Sequence, residues 1–143
     1  MKCMLIALIA ISFTTVFSQE MQITISANND SITVSPDNNN KNKLLTISNS
    51  PSAGNNFLII NVVNEETDKD WKRNFFIYDS ADNAVKNFVL MNDGSYCIKL
   101  STLFTILQPQ HDYFIYTTAI PKDPNKAMLV KVARRLICKI KIR

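Results

Sequence analysis

Glycine is almost missing from this chain: Gly54 and Gly94 are the only two in 143 residues. Phosphate-cradling loops need glycines so that backbone amides can close on the anion. Neither G-x-G-x-x-G nor a Walker sequence can be written here, so Gly-rich phosphate loops are excluded. Histidine is scarcer still, with His111 alone. Catalysis of the Ser-His-Asp type needs a base held between a nucleophile and an orienting group, and no G-x-S-x-G elbow supplies the first. His111 reads as an exposed loop residue. Cysteine is limited to Cys3, Cys97 and Cys138. With no C-x-x-C or H-x-x-x-H spacing, the common zinc frameworks are excluded as well. Blocks of helical periodicity are lacking between the apolar runs, which removes the crossover helices that a parallel α/β sheet requires. Acidic residues stop at Asp123.

The N-terminus carries the clearest positive signal. Lys2 is followed by the apolar run Met4 to Ile11, continued loosely through Phe13, Val16 and Phe17, and Ser18 ends it. A charged start, an apolar stretch and a small residue at a cut site are the parts of a secretory signal, and the run is short for a membrane span. Residues 1–18 are therefore expected to be a cleaved signal peptide, with retention as an anchor the alternative. The protein is expected to be secreted or periplasmic, with no transmembrane segment in the mature chain. Gln19 to Arg143 suits one domain, made of an N-terminal part with strands and an Asn-rich loop (19–42) and a sandwich part (43–143).

Short strand-like runs fill the mature chain. Met21 to Ser26 and Ser31 to Ser35 alternate apolar with small polar residues, the period of a half-buried strand. Asn28-Asn29-Asp30 between them reads as a hairpin turn, and Asn38, Asn39, Asn40 and Asn42 as loop, since Asn tolerates left-handed backbone. Lys43 to Ser48 follows. Phe57 to Val63 is the most apolar run of the mature chain and is expected to be a central strand. Asn74 to Tyr78, Val85 to Leu90, Tyr96 to Leu100 and Tyr113 to Ala119 complete the set. Ser101 to Leu107 reads as a strand extension, with a helical turn capped by Ser101 as the alternative. Met128 to Arg143 alternates along its whole length: Met128, Val130, Val132, Leu136, Cys138, Ile140 and Ile142 share one parity, interrupted by Arg134, which predicts one long strand. Eight or nine strands spaced by turn formers predict an all-β, antiparallel two-sheet sandwich.

The segment Leu107-Gln108-Pro109-Gln110-His111-Asp112-Tyr113, followed by Ile115, Thr117 and Ala119, resembles the fibronectin type III signature L-x-P-x-x-x-Y. That resemblance implies an immunoglobulin-like or fibronectin type III-like sandwich. Tyr113 would be the tyrosine corner at the start of strand F, its hydroxyl bonding to nearby backbone, with Leu107 and Pro109 as its structural companions. Met128 to Arg143 would be strand G. The tryptophan usual in that family's strand B has no counterpart in Phe57 to Val63, and Trp71 stands before the next strand. The order Ile77-Tyr78-Asp79, Ala84 to Phe88, Tyr96 to Leu103 and Tyr113 to Ala119 resembles, in addition, small C-terminal sandwich domains that sort secreted proteins.

The whole chain carries a formal charge of +4, too mild an excess to argue for nucleic acid. Its distribution is uneven. Lys131, Arg135, Lys139, Lys141 and Arg143 lie on the polar parity of the C-terminal run, and same-face residues on a strand are about 7 Å apart. A basic stripe is expected, serving as an edge guard or as a dock for an acidic protein, a glycan or an anionic surface. Phe75, Phe76, Tyr78, Phe114 and Tyr116 occupy both parities of their strands, so some aromatics face outward unless that sheet is covered. An exposed aromatic strip would suit a glycan or a protein partner. Cys97 and Cys138 could pair in an oxidising compartment, but their parities oppose: Cys97 points away from Tyr96, Ile98 and Leu100. Asp79, Asp82 and Asp93 are candidate calcium oxygens, though turns use such residues more often. Asn29-Asp30-Ser31 fits a glycosylation acceptor. The expected function is a non-catalytic exported module with a binding or structural role and no cofactor. The alternatives are a small secreted hydrolase using the carboxylates of Glu65 to Asp70, and a sorting-type domain.

Overall fold

The structure, a computed structural model, describes residues 21–36, 39–49, 55–63 and 70–143. The signal segment, Glu65, Glu66 and Asp68 lie outside the described residues. Among the described residues ten strands and two short helices follow in the order β1 (Gln22–Asn28), β2 (Asp30–Val34), β3 (Leu44–Ile47), β4 (Asn55–Val63), β5 (Trp71–Asp79), β6 (Ala84–Asn87), β7 (Val89–Leu90), β8 (Tyr96–Lys99), α1 (Leu100–Ile106), β9 (Tyr113–Pro121), α2 (Pro124–Leu129) and β10 (Arg135–Ile142). They form two five-stranded sheets, ordered β2-β1-β4-β8-β7 and β3-β10-β9-β5-β6. Among the described residues no helix is long and apolar enough to cross a membrane.

Alternation does most of the sorting. Ile23, Ile25 and Ala27 of β1 face Leu58 and Ile60 of β4 and Ile98 of β8 within one layer of the core, while Phe75, Ile77, Ile115 and Ile140 come from the other sheet. The intervening residues point outward, since a strand has two faces and only one can be buried in a two-layer fold. β4 lies in the middle of its sheet, between β1 and β8. β1 lies between β2 and β4, so residues before 43 belong to the sandwich itself. Asn28 takes a left-handed φ of 53° in the two-residue turn between β1 and β2, and Gly94 takes φ 83° before β8. Asp79 organises the turn after β5: its carboxylate accepts hydrogen bonds from the Ala81 and Asn83 amides at 2.9 and 2.8 Å.

The layers are joined by aromatic contacts and by polar bridges. Phe75 packs edge-on against Tyr96 at 4.8 Å and against Phe88 at 6.3 Å. The Tyr96 hydroxyl donates across the sandwich to the Arg73 carbonyl at 3.1 Å. Val85 to Leu90 is not one strand. It divides at Phe88, whose amide donates to the Phe75 carbonyl, so β6 pairs with β5 in one sheet and β7 with β8 in the other.

Three further expectations are corrected. Ser101 to Leu107 is no strand but falls within the short helix α1 and its C-cap Leu107, and Lys99, not Ser101, stands at the N-cap. Leu100, Leu103 and Leu107 sit on one side of it and are buried, a spacing of three and four that a strand could not place together. The sandwich is not wholly antiparallel, because β3 runs parallel to β10, with Leu44 to Ile47 opposite Lys139 to Ile142. Met128 to Arg143 is not one strand. Asp123 caps α2 by accepting from the Asn125 amide at 2.9 Å, and Pro124 starts the helix, where its missing N–H costs nothing.

A bulge then breaks the alternation of β10: Leu136 is opposite Tyr116 and Cys138 opposite Ile115, with Ile137 as the extra residue. Ile137 and Cys138 are both buried, so Leu136 falls on the outward parity rather than with Cys138. Asn40, itself buried, donates to the Leu136 carbonyl at 3.3 Å and to the Ser35 carbonyl at 2.8 Å. It thereby supplies a partner to a carbonyl at the bulge, where ladder bonding is disrupted.

Candidate functional site

The outer face of the β3-β10-β9-β5-β6 sheet gathers aromatic rings, basic side chains and ion pairs. Register puts Phe76 opposite Tyr116 and Tyr78 opposite Phe114 on adjacent strands. All four are half-buried, so the aromatic residues do divide between the two faces: Phe75 inward, these four outward. Phe76 and Tyr78 meet edge-on at 6.4 Å, and Tyr78 and Tyr116 at 5.4 Å.

Arg134 lies across this strip. Its guanidinium carbon is 4.3 Å from the Tyr78 ring centre and 4.4 Å from that of Tyr116, and its Nη2 contacts Asp82 Oδ1 at 2.7 Å. Hydrogen bonding to Tyr78 first, and to Asp82 after it, hold the guanidinium above its ordinary pKa. A cation over two ring faces is attracted by their quadrupoles, so the irregular segment after α2 is fastened to the sheet at this point. Sequence reading placed Arg134 only as an interruption of an apolar face. The doublet Arg134-Arg135, followed by three apolar residues in a row, was the available sign that the alternation fails there.

The expected five-residue basic stripe is shorter than the sequence implied. Lys139 and Lys141 lie on the outer face beside the aromatics, and Arg143 follows at the next position of the same parity. Lys131 lies off the strand, after α2, and Arg135 opens β10 beyond the bulge, opposite Thr117. The helix and the bulge together remove the period that would have aligned them. Asp112 sits against the stripe, 2.5 Å from Lys139 Nζ and 3.5 Å from Lys141 Nζ. Hydrogen bonding to Lys139, then the charges of both lysines, lower the Asp112 pKa.

The remaining candidates are dispersed. Tyr113 is buried, and its hydroxyl accepts a hydrogen bond from the Gln108 amide at 2.9 Å. Leu107 is buried beside it and Pro109 is exposed. Cys97 and Cys138 are both free thiols on strands of different sheets, so no bridge links them. Cys97 is half-buried on an outer face, whereas burial pushes the Cys138 thiol up to about 12, which makes it unreactive at neutral pH. His111 is exposed, with Nδ1 3.2 Å from the Pro109 carbonyl. Asp79 and Asp93 have lowered pKa values, chiefly from hydrogen bonds with Asn83 and Ser95 respectively. Their oxygens serve turns, and Asp82 serves Arg134. Asn29 is exposed at the β1–β2 turn. A cavity of about 560 Å³ lined by Asn28, Asn49, Asn56, Phe57 and Lys99 has that lysine as its only charged wall residue among the described residues. Comparison of the chain with family models, with curated proteins and with solved structures finds no match.

Proposed function

We propose that this protein is an exported, non-catalytic, immunoglobulin-like binding module, and that the outer face of the β3-β10-β9-β5-β6 sheet takes an acidic glycan. One observation carries the reading: four half-exposed aromatic rings lie beside Lys139 and Lys141 on a single sheet face. Aromatic faces stack on the apolar sides of sugar rings, Phe76 and Phe114 foremost because Arg134 covers one face of Tyr78 and of Tyr116. The ammonium groups answer carboxylate or sulfate by exchanging Asp112 for the ligand.

Strand order supports the immunoglobulin-like part. β1, β4, β8 and β7 follow one another across their sheet as strands A, B, E and D would, and β5, β9 and β10 as C, F and G, with β6 as C′. β2 and β3 are then additions between A and B. The Tyr113 to Gln108 hydrogen bond has the form of a tyrosine corner. Ile115 stands two residues later, where an antibody domain has its second core cysteine, and Phe75 and Ile77 fill the part of strand C where such a domain keeps tryptophan. The apolar leader supports export. The non-catalytic part is supported by the carboxylates themselves: Asp79 and Asp93 organise turns, Asp123 caps a helix, and Asp82 and Asp112 neutralise basic side chains.

Titration with size-defined heparin and polygalacturonate fragments tests the proposal. Binding should weaken steeply between low and physiological salt, and Lys139→Glu with Lys141→Glu should abolish it, as should Tyr116→Ala. Retention by an acidic protein and by no glycan would move the ligand class to protein. Retention unchanged by all three substitutions would reduce the basic side chains to a solubility device.

A further inference from the structure

The connection between β9 and β10 presents apolar side chains that the fold does not use. No residue of α2 is buried. Met128 is 79% exposed and Leu129 86%, the two highest values among the large exposed apolar residues. Val132 and Trp71 are exposed beside them. Leu129, Val130, Trp71, Pro121, Lys126 and Asp70 rim a shallow hollow of about 280 Å³. Leaving such side chains in water forgoes the stabilisation that burial would give, and a six-residue helix with no buried face gains nothing from core packing.

Charge surrounds the apolar point. From Lys122 to Arg135 the chain has five basic residues, Lys122, Lys126, Lys131, Arg134 and Arg135, and one acidic residue, Asp123. Asp123 is engaged as the cap of α2. Arg134 is engaged by Asp82. Lys126 and Lys131 are exposed around the tip, and Asp70 adds one carboxylate at the rim of the hollow. Apolar side chains at a point with ammonium groups around them match an anionic lipid surface, where the first reach the acyl boundary and the second meet phosphates. A stable protein–protein contact needs roughly 800 Å² from each partner, far more than two protruding side chains present.

We propose that the β9–β10 connection is a membrane-docking tip, in which Met128 and Leu129 enter the headgroup–acyl boundary of an anionic phospholipid surface while Lys126 and Lys131 hold its phosphates. The tip is distinct from the glycan face. Lys139 and Lys141 lie further along β10, towards its opposite end, and the two sites can be removed separately.

Trp71 is the only tryptophan in the chain and stands at the tip, so its fluorescence reports on this site rather than on any other part of the protein that meets lipid. On addition of vesicles of phosphatidylcholine with 30% phosphatidylglycerol, Trp71 emission should shift to the blue, and lipids brominated near the headgroup should quench it. Vesicles of phosphatidylcholine alone should do neither. Met128→Ser with Leu129→Ser should weaken the partition about tenfold or more, with an unchanged melting temperature because neither side chain is packed. Lys126→Glu with Lys131→Glu should remove the preference for anionic lipid, whereas Lys139→Glu with Lys141→Glu should leave the Trp71 response intact. An unmoved Trp71 spectrum overturns the proposal, even if the protein sediments with vesicles, because attachment would then lie elsewhere. An equal response to neutral vesicles also overturns it, as does a response that survives in the Met128→Ser, Leu129→Ser protein. So would a dimer in sedimentation velocity that the same double variant dissolves, because the apolar point would then be a contact between two copies.

Discussion

Phe75 and Phe76 are the same residue type at adjacent positions of one strand, and they occupy opposite environments. Phe75 is 1% exposed, held between Tyr96 and Phe88 at the centre of the sandwich. Phe76 faces out, in half-cover beside Tyr78 and Tyr116. The inner ring is demanded by the fold, since a two-layer protein must fill the space between its sheets. The outer ring is not. The aromatic residues of β5 and β9 therefore do two separable jobs, and the outer set is open to selection for a ligand.

Substitution at the two phenylalanines tests that separation most sharply. Phe75→Ala should cost about 3–5 kcal/mol in urea denaturation, from lost burial and the cavity left behind. Phe76→Ala should cost well under half of that. Equal losses would make the outer face a second core and would take away the observation on which the glycan proposal rests. The tyrosines give a smaller contrast. Tyr113→Phe removes the acceptor of the Gln108 amide and should destabilise by about 1 kcal/mol, while Tyr116→Phe keeps its ring under Arg134 and should change stability by a few tenths at most.

The smallest effect concerns Asp112, on the outer face alone. Its pKa is lowered in the folded protein, so the unfolded chain binds the proton more readily. The stabilising contribution is present above the unfolded value, about 3.9, and is lost as pH falls through the lower folded value. A carboxyl-detected NMR titration should place Asp112 below the ordinary aspartate range, and Lys139→Met should return it towards that range. A midpoint indifferent to Lys139 would show that the ion pair does not form in solution.

Strands with strict alternation and clear turn residues were legible in the sequence: β1, β2, β3, β4, β8 and β9 fall where their apolar periods and Asn or Pro flanks place them. So did the outward parity of Cys97, because β8 contains no irregularity. The failures share a cause. In α1 and α2 the sequence pattern fits two periods at once over six or seven residues, and tertiary packing or a Pro-started turn decides between them. In β10 a bulge resets the parity at Ile137, and a period of two cannot show its own interruption. Phe88 breaks one apparent strand into members of two sheets for the same reason: the chain changes layer without changing its local pattern. The cation over the tyrosines was illegible because Arg134 and Asp82 are 52 residues apart. Asn40 was legible only as loop, since its partner at Leu136 lies 96 residues away.

The pairing of β10 has a consequence in time. This strand lies between β3 and β9, with Leu44 opposite Lys139 on one side and Tyr113 opposite Ile140 on the other. β10 is thus an interior member of its sheet, and both of its neighbours precede it in the chain. Until residues near the C-terminus are available, β3 has no ladder in that sheet and β9 has a bare edge. A chain emerging N-terminus first can assemble the β2-β1-β4-β8-β7 sheet but cannot close its companion. Closure of the second sheet therefore waits for β10, and the polypeptide stays incompletely folded until that strand has emerged and docked.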